Sequence, residues 1–341
     1  MYIRSAGHLA LWNVLKREVY LMRACVLENL KKLVVKEFDM PERIEDDDVL
    51  IKVSMVGICG SDIHMWDNEK KIGLVMGHEF CGTVVDPGTS DFIIGERVVV
   101  VPKGPRGYNS TPGVVAQGGY AEYFFAAAAY LRRIPNTISD DEANMIEPTA
   151  IAYNALLKAN IKYGDKVLVT GTGIIGHLCA EWAKVMGATY IAMTEVNDNR
   201  IVKAKELGIA DEIFDARNPE IAQQLKAASN GGFDKVIECT AVPASVNMSL
   251  DVLKEMGILL FVGVSYKQVP IDALKLIMKN ITIIGTFGSS IVFDKVIELL
   301  VKKPFDITKY ITKRIGMDEI QESFEELHGG KSDHIKIVIT P

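Results

Sequence analysis

Along the first part of the chain the apolar residues fall in short runs. V49-L-I-K-V53, C81-G-T-V-V85 and R97-V-V-V-V101 are examples, with Gly, Pro, Asp and Asn between them. Short runs that alternate or are wholly apolar, bounded by turn residues, predict β-strands. From about Arg23 to Ile134 no helix-period stretch of any length interrupts them, so this part reads as a β-rich domain. Near residue 150 the pattern changes. D165-K-V-L-V-T170 predicts a buried strand, G171-T-G-I-I-G176 a turn, and H177-L-C-A-E-W-A-K-V-M186 a helix ended by Gly187. Y190-I-A-M-T194 predicts a strand, R200-I-V-K-A-K-E-L207 a helix capped by Gly208, and E212-I-F214 a short strand. Pro219 to Ala228 reads as helix, K235-V-I-E238 as strand, Ala244 to Met256 as helix and G257-I-L-L-F-V262 as strand. Asp272 to Met278 reads as helix and T282-I-I284 as strand. Strands alternating with helices at this spacing predict βαβ units, here six parallel strands, as in a full dinucleotide-binding sheet. From about Ser289 two more helical stretches lead to an apolar strand, H334-I-K-I-V-I-T340. Residues 1–21 mix basic and apolar residues without a long apolar stretch, and read as an extension outside the fold.

Size and composition narrow the class. A chain of 341 residues exceeds the usual single core, which predicts about two domains. With 48% hydrophobic and 24% charged residues it is ordinary for a globular protein. The net charge is −6 and no block of five or more lysines and arginines occurs, which speaks against a nucleic-acid partner. The apolar runs fall well short of the ~18 residues of a membrane span. The five cysteines are scattered, odd in number and without a C-x-x-C pair. That pattern predicts a reducing, cytoplasmic setting and argues against a four-cysteine zinc knuckle.

G171-x-G-x-x-G176 follows a predicted strand and opens a predicted helix, the context in which backbone N–H groups face a pyrophosphate. Glu195 stands twenty-four residues past Gly171, at the end of the second strand. An acid there accepts hydrogen bonds from ribose hydroxyls and repels a 2′-phosphate, favouring NAD over NADP; Arg200 nearby pulls the other way. His177, on the first helical turn, reads as a surface residue. The β-rich part carries G57-I-C-G-S-D-I-H64 and, fourteen residues past His64, the histidine of G77-H-E79. A catalytic zinc takes three protein ligands and keeps one position open. Cys59 and His78 suit two of these roles, and Glu79 or Glu147 of M145-I-E-P-T149 the third. Ser61 and His64 suit a proton relay to water. Cys25, Cys81, Cys179 and Cys239 read as packing residues, and His8, His328 and His334 as solvent-facing.

GICGSDIH, GHEFCGTVVDPG, GERV, GGYAEY, IEP, GTGIIG and IECT, in this order and spacing, resemble the zinc-dependent medium-chain dehydrogenases, above all the sorbitol (polyol), butanediol and threonine dehydrogenase branch. The resemblance runs from about Met22 to Pro341. It implies an α/β protein: a GroES-like β-barrel catalytic domain over residues 22–152 and 289–341, and a Rossmann NAD-binding domain with a doubly wound parallel sheet over 153–288. It implies an enzyme that transfers a hydride between NAD and a secondary alcohol or ketone. By motif, Cys59 and His78 match the first zinc ligands, Glu147 the ligand after the barrel, and Glu79 the carboxylate beside the metal that in some members binds it. Ser61 and His64 match the proton relay and Glu195 the ribose-binding acid. Gly171, Gly173, Ile174, Ile175, Gly176, Arg200, Thr240, Val262 and Gly263 complete the expected cofactor contacts. Members are usually dimers or tetramers.

Two departures stand out. Many relatives carry a four-cysteine lobe for a structural zinc after GERV; V98–G113 has no cysteine, so one zinc per chain is expected. Sorbitol-type enzymes carry an Arg-Tyr pair after the last Rossmann strand, where this chain has F287-G-S-S290. Losing the bidentate arginine turns the expectation from sorbitol itself toward another polyol, cyclitol, sugar or diol. A threonine- or butanediol-type dehydrogenase, and a non-catalytic NAD(H)-binding protein on the same fold, are the alternatives.

Overall fold

The computed structural model describes residues 21–103, 111–264, 268–330 and 332–341. The expected extension thus lies outside the described residues except for Leu21, which opens the first strand. The chain divides into two compact units: residues up to Asn144 with 313–325 and 337–341, and residues 145–312 with 326–336.

In the first unit β1 (Leu21–Asn29) and β2 (Lys32–Asp39) form an antiparallel pair. The larger sheet is built on β3 (Asp48–Gly57), whose Val49, Ile51, Val53 and Val56 are buried. Along one length β3 pairs with β4 (Glu79–Asp86), and β4 in turn with β5 (Arg97–Val100). Residues 48–52 of β3 also pair with β6 (Tyr123–Ala127). β5 pairs with β7 (Leu131–Arg133). The end of the chain returns to this sheet: in β15 (Lys336–Thr340), Val338 and Ile339 pair with Gly57 and Val56, and β14 (Ile311–Gly316) lies beside β15. One helix, α1 (Gly60–Trp66), interrupts the strands against expectation, and a second, α2 (Asp140–Asn144), lies past Ile134, beyond the stretch expected to lack helix. They are too short to show a helical period, which needs a window of about eleven residues.

The second unit opens with α3 (Ile146–Ala159), which ends where Asn160 turns left-handed. Its sheet has six strands among the described residues, every pairing parallel: β8 (Lys166–Thr170), β9 (Tyr190–Glu195), β10 (Glu212–Asp215), β11 (Phe233–Glu238), β12 (Leu253–Phe261) and β13 (Thr282–Gly285). Their spatial order is β10-β9-β8-β11-β12-β13. The chain winds outward from β8 in one direction and then crosses to β11 on the other side. The C-terminal ends of β8 and β11 therefore flank the point where a doubly wound sheet opens a crevice for a ligand. Between the strands run α4 (Ile174–Val185), α5 (Asp198–Leu207), α6 (Ile221–Ala228), α7 (Pro243–Val252) and α8 (Ala273–Lys279), followed by α9 (Phe293–Leu300); α10 (Ile320–His328) falls mostly in the first unit. Leu225, Val246 and Leu250 of α6 and α7 pack on Leu168, Val236 and Leu259 of the strands.

The expected helix over 244–256 ends early, at Val252. Leu253 is already extended and pairs with Phe233, and Met256 has φ +58°, outside the helical region. β12 thus begins four residues before the expected Gly257.

Candidate functional site

The metal-type residues of the first unit meet. One ligand atom each from Cys59, His78 and Glu79 lie within 4.8 Å of one another, and His78 and Glu79 are buried. Local geometry puts them there. Cys59 is the N-cap residue of α1, and Glu79 opens β4 opposite Gly57, the last residue of β3. A strand end and the helix start that follows it thus face the start of the neighbouring strand. Gly77, before His78, has φ +89°, and a Cβ there would lie 2.5 Å from the Tyr120 ring. Only glycine passes the chain so close to Tyr120 and still delivers His78 inward.

Asp62 frames this cluster, and nothing in the sequence marked it out. It is fully buried on α1. Its Oδ2 accepts the Cys59 N–H at 2.9 Å and the Tyr120 hydroxyl at 2.7 Å, and its Oδ1 stands 3.4 Å from Nδ1 of His78. The other ring nitrogen, Nε2, faces the Ser61 hydroxyl at 3.4 Å, which also donates to Cys59 Sγ at 3.3 Å. The Asp62 carboxylate stands at one ring nitrogen and Ser61 and the ligand pocket at the other, the kind of outer support that orients metal-binding histidines. Burial resists a charge on His78, but the Asp62 carboxylate and Cys59 outweigh it and hold its pKa well above the ordinary value. Burial, then Glu79, pushes the Cys59 thiol up. One thiol sulfur, one imidazole nitrogen and one carboxylate oxygen in a buried cluster suit zinc, with a fourth position for another ligand.

Ser61 and His64 both lie exposed on α1, Ser61 at the cluster and His64 three residues on, in the last turn. Glu147 belongs to the other unit. It is buried in the first turn of α3, and its Oε1 accepts the Ser289 hydroxyl at 3.1 Å.

In the second unit the predicted cofactor residues gather at the C-terminal ends of the strands. Gly171 follows β8 with φ +85°, and a Cβ on Gly176 would lie 2.0 Å from the Gly171 carbonyl oxygen. That approach brings the helix start against the strand end. Ile174 and Ile175 are the first residues of α4, and Gly173 is its N-cap. Glu195 ends β9. Its Oε2 accepts the Thr172 N–H (3.0 Å) and hydroxyl (2.7 Å), and its Oε1 the N–H groups of Val196 (2.8 Å) and Asn197 (3.1 Å). Burial works to raise its pKa, but these donors outweigh it and hold the carboxyl below the usual range. Arg200 reaches from α5 to the Ser332 carbonyl at 3.3 Å. Thr240 is exposed just past β11; Val262 and Gly263, just past β12, both donate to the Glu238 carbonyl.

Glu238 is a second missed residue. It is fully buried at the end of β11. It accepts from the hydroxyls of Thr170 (3.0 Å) and Ser245 (3.0 Å), the Ala241 N–H (2.7 Å) and the Thr240 hydroxyl, tying the turn after β11 to the end of β8. His177 corrects an expectation: it is 1% exposed, not a surface residue. His328 is exposed, as expected, whereas His334 is half-buried and stands 3.8 Å from Glu326. Cys25, Cys81 and Cys179 are buried and Cys239 half-buried, all as free thiols.

Two domain families match the chain: an alcohol dehydrogenase GroES-like domain over residues 45–136 and a zinc-binding dehydrogenase domain over 175–302. (R,R)-butanediol dehydrogenase of Bacillus subtilis is 30% identical over 94% of this chain and 100% of its own. The chain belongs to the zinc-dependent medium-chain alcohol dehydrogenase family. The Bacillus subtilis 2R,3R-butanediol dehydrogenase crystal structure superposes with a TM-score of 0.85 over 94% of this chain and 99% of its own. Sorbitol dehydrogenase of Gallus gallus is 29% identical over 86% of this chain and 90% of its own. An Escherichia coli alcohol dehydrogenase structure complexed with NADH is 25% identical, with a TM-score of 0.85 over 94% of this chain and 100% of its own. The fold is the family's: a GroES-like domain and a parallel-sheet Rossmann domain. The protein is an oxidoreductase of the alcohol dehydrogenase kind that uses zinc and a nicotinamide cofactor.

Proposed function

We propose that this enzyme oxidises a secondary alcohol of a polyol, cyclitol or sugar to the ketone with NAD, and runs the reverse reduction. The observation that carries this reading is the Cys59–His78–Glu79 cluster, three zinc-type donors within 4.8 Å of one another. When bound, the zinc supplies a Lewis acid and the dinucleotide a two-electron acceptor. Cys59, His78 and Glu79 hold the metal. Asp62 and Tyr120 keep the His78 ring oriented. Ser61, in reach of both Sγ and Nε2, accepts the proton of the reacting hydroxyl as it gives up its own toward the exposed His64, which hands a proton to water. Residues 153–288 form the cofactor domain, and residues 22–152 with 289–341 the catalytic domain. The charged Glu195 selects NAD by repelling a 2′-phosphate. Its two oxygens already accept four protein donors, so a bound ribose hydroxyl would take the place of the Thr172 hydroxyl while the Thr172 N–H keeps the same oxygen. One zinc per chain, a homodimer or homotetramer and a cytoplasmic setting complete the proposal. The butanediol dehydrogenase relative favours a second reading, a vicinal diol as substrate.

The test is NADH formation from polyols, cyclitols, sugars, 2,3-butanediol and threonine, each with and without a zinc chelator. Chelator-sensitive turnover of one class supports the reading and names the class. A protein with full zinc and no turnover on any of them sinks it. Zinc content then assigns the carboxylate ligand: Glu79→Gln is expected to lose the metal and Glu147→Gln to keep it, and the reverse result moves the role to Glu147.

A further inference from the structure

His177 lies in the first turn of α4, 1% exposed. Its Nδ1 stands 3.0 Å from the Gly173 carbonyl oxygen, and its own backbone N–H donates to the same oxygen, also at 3.0 Å. A carbonyl only accepts, so the ring carries its proton on Nδ1 and leaves Nε2 as a bare lone pair, buried and without a partner. The ring is packed from outside. The Tyr310 ring sits 5.2 Å from it, and the Tyr310 hydroxyl donates at 2.8 Å to Glu181, one turn further along α4. Lys309 clamps the same Glu181 oxygen at 2.8 Å. His177 is thus held in the one rotamer and tautomer that binds the loop.

The Gly173 carbonyl and the Ile174 N–H belong to a single planar peptide unit, so fixing the direction of one fixes the other. The Ile174 N–H is among the first of α4, which have no partner inside the helix and point where an anion binds. We propose that His177 is a positioning residue for the dinucleotide: by grasping the Gly173 carbonyl it aims the Ile174 N–H at the pyrophosphate. This rests on the reading of residues 171–176 as the dinucleotide turn. An apolar side chain at position 177 leaves the peptide unit held from one side only.

The experiment is a fluorescence titration of the full-length, zinc-loaded protein with NADH. His177→Phe keeps a ring against Tyr310 and removes the donor. His177→Asn places an amide N–H where Nδ1 stood. Loss of one hydrogen bond predicts that NADH Kd rises about fivefold in His177→Phe and returns to within about twofold of the parent in His177→Asn. In turnover the KM for NAD moves with Kd while kcat and zinc content stay at parent values. Parent-like Kd in His177→Phe overturns the proposal, as does a folded His177→Asn that binds as weakly as His177→Phe. Should His177→Phe fail to fold, His177→Leu takes its place in the comparison. A parent protein that binds no NADH sinks the dinucleotide reading itself, and this proposal with it, whereas parent binding with unchanged variants sinks this proposal alone.

Discussion

Cys59, His78 and Glu79 come from two places in the chain, nineteen residues apart, and their frame draws in Tyr120 from a third. The turn proposed for the dinucleotide is one run of six residues, 171–176, and the groups it would offer belong to the backbone. On the proposed reading the metal cluster depends on side-chain identity: its donors are a thiol, an imidazole and a carboxylate, and the buried Asp62 carboxylate stands 3.4 Å from the imidazole. The turn depends mainly on conformation: Gly171 takes φ +85° and Gly176 has no room for a Cβ, while Thr172 adds a side-chain bond to Glu195. Substitutions in the cluster are therefore expected to abolish function outright. Those around the turn grade affinity.

The largest effect is expected from Cys59→Ser. Zinc falls to background in metal analysis, turnover goes with it, and NADH binding by the Rossmann unit stays near the parent value. Retained zinc-dependent turnover would remove Cys59 from the ligand set. Asp62→Asn comes next. It keeps the volume and removes the charge 3.4 Å from His78, so the loss of outer support is expected to weaken zinc by about 10–100-fold. Competition against a chromophoric chelator measures it, and an unchanged affinity would leave Asp62 as a structural cap of α1 only.

A third prediction separates the turn from the cluster by pH. Burial pushes His177 down to about 4 from the ordinary value of 6.5, against the Gly173 carbonyl that favours its proton; Lys309 and Arg200 add to the depression and Glu195 opposes it. Glu181, on the same helix, is neutralised in part by Lys309. With the folded pKa below the unfolded one, the unfolded chain binds the extra proton between about pH 6.5 and 4. Stability contributed by the neutral ring is therefore full above that window and is lost as pH falls through it. The urea midpoint of the parent is expected to fall more steeply across this window than that of His177→Asn. Parallel curves would mean that His177 titrates normally.

How much of this the sequence displayed follows the same division. The glycine turn and Glu195 were legible because they are contiguous and sit on a strand–turn–helix whose apolar pattern is strong. Cys59 and His78 were legible by residue type. Asp62 was not, because its meaning comes from Tyr120 and His78, which only the folded sheet brings to it. Its helix was hidden too: Gly60–Trp66 is two turns long, and its first-turn acid follows a cysteine N-cap rather than the usual Ser or Thr. His177 was misread because a polar residue beside a glycine turn suggests solvent. The bond to its own helix at Gly173 and the cover from Tyr310 involve, respectively, an i−4 backbone acceptor and a segment more than a hundred residues away. The β12 start was misjudged because L253-K-E-M256 has strong helix formers, and pairing with Phe233 overrides their propensity.

The smallest effect tests the frame at its outermost member. Tyr120 is fully buried, and its ring fills the space that the missing Cβ of Gly77 leaves. Tyr120→Phe keeps that ring, so the Gly77 turn and the edge contact to Phe324 should survive and the substitution reports the hydroxyl alone. Without it, Asp62 Oδ2 keeps the Cys59 N–H and the carboxylate keeps its place beside His78. What is lost is one hydrogen bond to a charged acceptor, worth about 1.5–3 kcal/mol to the fold. The imidazole feels this only through a looser Asp62. The variant is expected to unfold at lower denaturant, while its zinc affinity drops only a few-fold, well inside the Asp62→Asn loss. A zinc affinity as low as that of Asp62→Asn would place the orienting force in the tyrosine rather than in the carboxylate.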